Sequence, residues 1–244
     1  MKKLNIYTTA GFPQLEDTLA VMHTIQNAGA DIIELGIPYS DPVADGPVIQ
    51  AASKKALENG MSIHVLFSQL EDMRKTITIP VYLMGYFNPV LQYGVDQIVA
   101  KAADVGITGL IIPDLPPAVF DREYRSLFEK YGLNFVCLVT PETSEERIRY
   151  LDRLSSGFLY AVSSSSTTGN NKDLSAQEAY FKKLASLNLQ NEILVGFGIH
   201  DKASFEVATQ HVSGGIIGSA FVEILKEKPG EWNLLAAQFI GNIR

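Results

Sequence analysis

Residues 32–47 read Ile32-Ile-Glu-Leu-Gly-Ile-Pro-Tyr-Ser-Asp-Pro-Val-Ala-Asp-Gly-Pro47. The stretch Asp31–Leu35 is apolar at nearly every position, the pattern of a strand covered on both faces, as in a parallel sheet. Glycine and proline then end it. Runs of the same kind recur outward in both directions: Leu4–Thr9, Pro80–Met84, Gly109–Ile112, Asn134–Val139, Phe158–Val162, Ile193–Gly196 and Gly215–Ile217. Between them lie helical patterns such as Leu15/Leu19/Met22/Ile25, Ile63/Leu66/Phe67/Leu70/Met73 and Val95/Ile98/Val99/Ala102, with apolar residues three or four apart. Thr143-Ser-Glu-Glu146 ahead of Ile148, Leu151 and Leu154 reads as a capping box opening another helix.

Eight strand–helix units in 244 residues predict a closed (β/α)8 barrel, the TIM barrel, with a doubly wound open sheet as the alternative. No linker or low-complexity stretch divides the chain, so residues 1–244 are expected to form a single domain. The steps from Asp31 to Pro80 and from Phe158 to Ile193 are longer than the others. The surplus follows the second and sixth strands, on the side where such barrels build their sites, and reads as lid or catalytic loops.

Composition excludes several classes of function. The hydrophobic share is 46% and the charged share 19%, the latter below the roughly 25% of an average chain. A net charge of −7 without clustered Lys or Arg argues against nucleic acid as a partner. No run reaches the ~18 apolar residues of a membrane span. Met1-Lys-Lys-Leu-Asn-Ile-Tyr-Thr-Thr-Ala-Gly-Phe-Pro13 turns polar before a signal-peptide core forms, so the protein is expected in the cytoplasm, away from membranes. The lone cysteine, Cys137, lies within an apolar run and reads as core. His23, His64, His200 and His211 are too scattered to suggest a metal site.

A carboxylate inside the run Ile32–Leu35 either points into the barrel mouth or is buried at severe cost, so Glu34 needs a chemical reason. Asp41 and Asp45 follow on a loop stiffened by Pro38, Pro42 and Pro47. Both can be turn or cap residues; Asp45, on the same inserted loop as Glu34, is the one favoured for catalysis. Two carboxylates in unlike surroundings titrate apart, which lets one act as an acid while the other stays ionised. An apolar mouth is expected to raise the pKa of Glu34, and a wetter loop to leave Asp45 charged.

Glycine-rich turns follow the last three strands: Ser163-Ser-Ser-Ser-Thr-Thr-Gly169, Gly196-Phe-Gly198 and Gly218-Ser219, the last opening a helical pattern. Each glycine can simply permit a tight turn. Three together, without Lys or Arg, point to a phosphate held by backbone N–H groups and a helix N-terminus, which reconciles an acidic protein with an anionic ligand. Tyr7, Tyr86, Phe87 and Tyr160 are core or, around the same mouth as Glu34, the wall for a flat apolar ring.

These residues resemble the tryptophan synthase α chain family from about Tyr7 to Ser219. Glu34–Pro47 is similar to the family signature almost residue for residue, supported by Gly11-Phe-Pro13, Met84-Gly-Tyr-Phe-Asn-Pro89, Pro113-Asp-Leu-Pro116, Gly196-Phe-Gly198 and Gly218-Ser219. The resemblance implies retro-aldol cleavage of indole-3-glycerol phosphate to indole and glyceraldehyde 3-phosphate, within tryptophan biosynthesis. It assigns proton transfer at indole C3 to Glu34, acceptance of the indole N–H to Asp45, and a lining role to Tyr160, with Tyr7 and Tyr86 beside the substrate. It places the phosphate at Gly169, Gly198, Gly218 and Ser219. No cofactor is implied in this chain; pyridoxal phosphate belongs to a β-chain partner, in an αββα assembly that passes indole through a tunnel. The implied interface uses the 38–45 loop with Asp41 and Pro42, and the turn at Asp114. Thr168, closing against Asp45, would couple the two sites.

The chain departs from the family in two places. It lacks most of the usual helix before the first strand, so the barrel floor is expected to be less covered. Ser163–Ser166 replaces a stretch that often holds Arg and Gly, which puts the loop's closing contacts in question. Two other functions compete with the lyase: a partner-activating subunit with little turnover alone, and another phosphate-binding barrel enzyme such as a sugar-phosphate isomerase, against which Glu34 and Asp45 together argue.

Overall fold

The computed structural model describes residues 1–162, 173–196, 198–227 and 231–244. Its strands are β1 (Lys3–Thr9), β2 (Ile32–Gly36), β3 (Val81–Met84), β4 (Gly109–Ile111), β5 (Asn134–Val136), β6 (Leu138–Val139), β7 (Leu159–Val162), β8 (Ile193–Gly196) and β9 (Gly214–Ile217). Every pairing is parallel, and the order is β5-β4-β3-β2-β1-β9-β8-β7-β6.

The two ends of that order are halves of one run. Asn134–Val136 pairs with β4 and Leu138–Val139 with β7, so the chain changes partners at Cys137 and closes the ring there. Cys137 N donates to Ser155 Oγ (3.0 Å), and its carbonyl accepts from Tyr160 N (3.0 Å). Nine strand segments therefore make the eight staves expected from the sequence. The fully apolar runs have the predicted cause, since helices cover the outside and side chains fill the inside.

The barrel interior is layered by the two-residue period of the strands. Ile32, Tyr82, Ile111, Val136, Phe158, Leu194 and Ile216 form one buried cluster, with Tyr82 and Phe158 edge to face at 5.2 Å between centroids. Two residues further along their strands come Glu34, Met84, Leu138 and Tyr160, one layer nearer the C-terminal mouth. Met84, Leu138 and Tyr160 are only partly buried, so this upper layer opens to the mouth.

Most of the surplus after β2 is helical. A short loop, 37–46, leads into helix Pro47–Glu58, with Pro47 in the first turn, and then into helix Ile63–Leu70. The expectation of a long lid or catalytic loop after β2 is corrected in its length: only 37–46 is loop at the mouth. After β7, the 163–172 segment, including Thr168 and Gly169, lies outside the described residues; helix Asp173–Ser186 follows. The helix expected to start from a Thr143 cap starts one residue later. Ser144 Oγ accepts from Arg147 N, while Thr143 Oγ1 instead accepts from Thr140 N, closing its own turn. At the N-terminal end of the barrel, Arg244 donates to the carbonyls of Lys2 and Gly29 and pairs with Asp31, and Ile32 is 6% exposed.

Candidate active site

Glu34 sits in β2 in register with Tyr7 of β1 and Tyr82 of β3, and is 1% exposed. Its Oε2 accepts a hydrogen bond from Asn5 Nδ2 at 3.0 Å, while Oε1, equally buried, has no partner. Removal from water disfavours the charged form and pushes the carboxyl up to about 8; the Asn5 amide opposes this, and the charge of Asp45 adds to it. Glu34 is therefore substantially protonated at neutral pH, with one oxygen free.

Two tyrosines wall the same space. The Tyr7 phenol lies across Gly36 of the neighbouring strand, where any Cβ would collide with its ring and hydroxyl. Tyr160 occupies the corresponding place over Gly196, with ring carbon Cε1 2.6 Å from where a Cβ would stand. These glycines are fixed by ring clearance, a purpose the sequence reading of Gly196 as a phosphate turn did not include. Burial raises both phenols well above the ordinary range; Asp45 is the largest charge acting on Tyr7, and Glu34 the largest on Tyr160. Tyr7, Glu34, Asp45 and Tyr160 thus share one poorly solvated chamber.

Asp45 reaches this chamber on the 37–46 loop. Val43 N donates to the Asp41 carbonyl (2.9 Å) and Asp45 N to that of Pro42 (3.1 Å), and Gln50 Nε2 holds the Asp45 carbonyl at 2.8 Å. The Tyr86 hydroxyl is the tether. It accepts from Ala44 N at 2.9 Å and donates to the Asp45 carboxylate, which favours the ionised form. Burial is the larger influence, so the Asp45 pKa is raised. The expectation of a wet loop is corrected here: Asp45 is half-buried, and the aromatic ring that carries its hydrogen-bond donor also shields it. Tyr86 itself is pushed up to about 12, chiefly by burial.

The other predicted residues divide. Gly218 ends β9 and opens helix Ser219–Glu227 beside Tyr7, whose Cβ lies 3.7 Å from a Cβ built on Gly218. Its carbonyl accepts from Phe221 N and Val222 N, leaving the first N–H groups of the helix facing the mouth. Ser219 and Gly198 are exposed, and the Gly198 carbonyl lies 2.7 Å from His200 Nδ1. Asp41 is exposed and accepts from Ser40 Oγ. Asp114 Oδ1 accepts from Phe87 N at 2.8 Å, which ties the 113–116 turn to the segment that carries Tyr86. Beside Asp41 and Pro42, Val43 is 88% exposed. Among the described residues no group of three or more His, Cys, Asp or Glu side chains is placed to hold a metal ion, and no helix is long and apolar enough to cross a membrane.

Sequence reasoning missed Asn5 and the role of the Tyr86 hydroxyl. Asn5 had a visible signal: it is a polar residue inside a strand, two positions before Tyr7 and so on the same face. The Tyr86–Asp45 contact spans a loop and had none.

A buried acid with a free oxygen, a second carboxylate facing it, two aromatic walls and a helix N-terminus at the rim form one arrangement. The family model of the tryptophan synthase alpha chain matches residues 2–242. The chain is 50% identical to the tryptophan synthase alpha chain of Flavobacterium johnsoniae over 244 residues, covering 100% of this chain and 95% of that protein. It superposes on tryptophan synthase subunit alpha from Legionella pneumophila with a TM-score of 0.89 at 34% identity, over 99% of this chain and 91% of that one. It superposes on M. tuberculosis tryptophan synthase, in an aminoacrylate-bound form, with a TM-score of 0.86 at 30% identity, over 100% and 94% of the two chains. The loop that carries Asp45, the glycines under the tyrosines and the closed barrel all fall within the matched length, and the chain belongs to the tryptophan synthase alpha chain family.

Proposed function

We propose that this chain cleaves indole-3-glycerol phosphate by a retro-aldol reaction, releasing indole and glyceraldehyde 3-phosphate. The observation that carries the reading is Glu34: a carboxyl group buried at a barrel mouth, raised to about 8, with Oε1 unpartnered. In that state it donates a proton to indole C3. Protonation puts positive charge on the ring nitrogen, and Asp45, ionised and held by Tyr86, accepts the N–H and stabilises that charge. The Glu34 carboxylate then takes the proton from the hydroxyl on the carbon attached to C3. As that carbon becomes an aldehyde, the bond to C3 breaks, the electron pair returns to the ring, and Glu34 is again protonated. Tyr7 and Tyr160 confine the flat ring between them.

The phosphate is assigned to the N-terminus of helix Ser219–Glu227 with Gly218 and Ser219, and to Gly198 and Gly169, while Thr168 is assigned to the contact with Asp45 that couples the two sites. Backbone N–H groups suffice for a phosphate at such a terminus. The partner is a β chain that carries pyridoxal phosphate, in an αββα heterotetramer in the cytoplasm, with residues 1–244 acting as one barrel domain. Asp41, Pro42, exposed Val43 and Asp114 are the surface assigned to that partner.

Indole release from indole-3-glycerol phosphate, followed with purified wild type and Glu34→Gln, tests the reading. Wild type is expected to turn over, and the variant to fall by roughly 10²–10⁴, the usual worth of a general acid–base; equal rates would sink it. Repeating the assay with the β chain measures how much turnover depends on the partner.

A further inference from the structure

Among the described residues, Asn5 is the one uncharged polar side chain bonded to Glu34. It precedes Tyr7 by two residues on β1, points into the barrel and is fully removed from solvent. Among the described residues, its side chain makes a single hydrogen bond, Nδ2 to Glu34 Oε2 at 3.0 Å. Its other end, Oδ1, is buried and unpartnered, and so is Glu34 Oε1. A buried amide that leaves its acceptor unmade costs free energy, so a residue of this kind in a strand interior calls for a reason.

We propose that Asn5 is the positioning residue that lets Glu34 alternate between acid and carboxylate during turnover, by presenting either end of an amide that does not titrate. This rests on the retro-aldol reading, in which Glu34 gives one proton to ring carbon C3 and takes another from the hydroxyl on the carbon whose bond to C3 breaks. A carboxylate accepts from Nδ2. A carboxylic acid with its proton on Oε2 donates to Oδ1 once the amide is turned over, and no other hydrogen bond of the side chain resists that rotation. No charged residue serves both states. An Arg at this position would hold Glu34 ionised, and an Asp would hold it protonated.

The bond also selects the reacting oxygen. With Oε2 bonded to Nδ2, Oε1 is the oxygen left to give the proton to the substrate and to take the next one from it; the turned-over amide, with the proton on Oε2, holds the acid between turnovers. Since Asn5 Nδ2 favours the ionised form, it offsets part of the burial effect on Glu34. Without it, Glu34 stays protonated to higher pH and returns its proton less readily. The other titratable groups acting on Glu34 and its neighbours are Asp45 on the 37–46 loop and the two phenols Tyr7 and Tyr160. None of these makes a hydrogen bond to the Glu34 carboxyl.

The test is a set of Asn5 variants in the full chain, assayed for indole release across pH, with thermal unfolding as the check on folding. Asn5→Leu keeps the shape and removes both hydrogen-bonding ends. Its kcat is expected to fall roughly 10- to 100-fold, the effect of a misplaced catalytic group, with KM within about twofold and the high-pH limb of kcat moved upward. Asn5→Asp is expected to lose kcat as well, while Asn5→Ser, which both donates and accepts, recovers part of it. A merely structural role would lower stability without moving the pH limb. In case Asn5→Leu does not fold, carboxyl titration of 13C-labelled Glu34 in wild type and Asn5→Ala, which also lacks both hydrogen-bonding ends, reads the same coupling, and identical titrations in the two would overturn the proposal. Wild-type kcat and pH profile in folded Asn5→Leu would overturn it too, and leave the retro-aldol reading standing. A wild-type chain that releases no indole, alone or with its β chain, would instead overturn the reading itself and this inference with it.

Discussion

Replacing Glu34 with glutamine should make the protein more stable at high pH while removing its activity. The side chain is 1% exposed, and burial shifts its titration from an ordinary 4.5 to about 8. Between those values the folded state holds a proton that the unfolded chain has released. By linkage, stability falls as pH rises through this window and levels off above it. Each unit is worth about 1.4 kcal/mol, so the ionised carboxylate costs the native state on the order of 5 kcal/mol above pH 8 relative to its acid form. Glutamine has nearly the same shape, keeps an acceptor for Asn5 Nδ2 and does not titrate. The assay is urea unfolding of both proteins from about pH 5 to about pH 9, taken as the difference between them, so that contributions from all other groups cancel. Wild type should lose ground to Glu34→Gln steadily through the window. Water reaching the open mouth reduces the effect, and a difference that changes by less than about 1 kcal/mol would refute the claim that Glu34 is held as a buried acid. A loss of the expected size would mark the position as one where function is kept at a cost in stability.

Tyr86→Phe removes both the acceptor for Ala44 N and the donor to Asp45. It should lower kcat/KM for indole release by about tenfold, the worth of one hydrogen bond to a charged group, with little change in melting temperature; unaltered kinetics would deny Tyr86 the tethering role. Asp152→Ala should destabilise the chain by about 2–3 kcal/mol in denaturant, because a buried carboxylate that accepts from Gln190 N (2.7 Å) and Asn191 N (3.0 Å) is lost and both donors are left without it. Gly36→Ala drives a methyl group into the Tyr7 phenol and should cost about 1–3 kcal/mol along with much of the activity. Phe158→Ala opens the packed lower layer of the barrel and should cost about 3–5 kcal/mol, read from the same unfolding curves.

The barrel was legible because parallel strands covered on both faces are apolar without interruption, and Ile32–Leu35 is such a run broken by a single charge. That one exception located the site, since a carboxylate survives there only if chemistry needs it. The division of Asn134–Val139 into β5 and β6 could not be read, because the change of partner at Cys137 is a matter of barrel closure and leaves every side chain in the run as apolar as before. The same limit governed Asp45. Its loop looked wet because prolines, serine and aspartates are polar or turn-forming, yet the ring of Tyr86, some forty residues on, dries and anchors it. Local composition predicts exposure only where nothing distant returns to cover the segment.

Asn5 shows the opposite case, a signal present in the sequence but without meaning until Glu34 was in place. Strand parity alone puts Asn5, Tyr7 and Thr9 on one face of β1, and Ile32 and Glu34 on one face of β2. What brings Asn5 and Glu34 into contact is the register of β1 on β2, in which Asn5 stands opposite Ile32 and Tyr7 opposite Glu34. Shifting that pairing by one residue would turn Asn5 and Tyr7 outward and take the amide away from the Glu34 carboxyl. The register is held by the clearance between Tyr7 and Gly36, since only a glycine at that one position lets the phenol lie across the neighbouring strand. The glycine that admits the tyrosine therefore also fixes the distance from the amide to the catalytic acid, so packing in the barrel wall and proton transfer at its mouth depend on the same two strands.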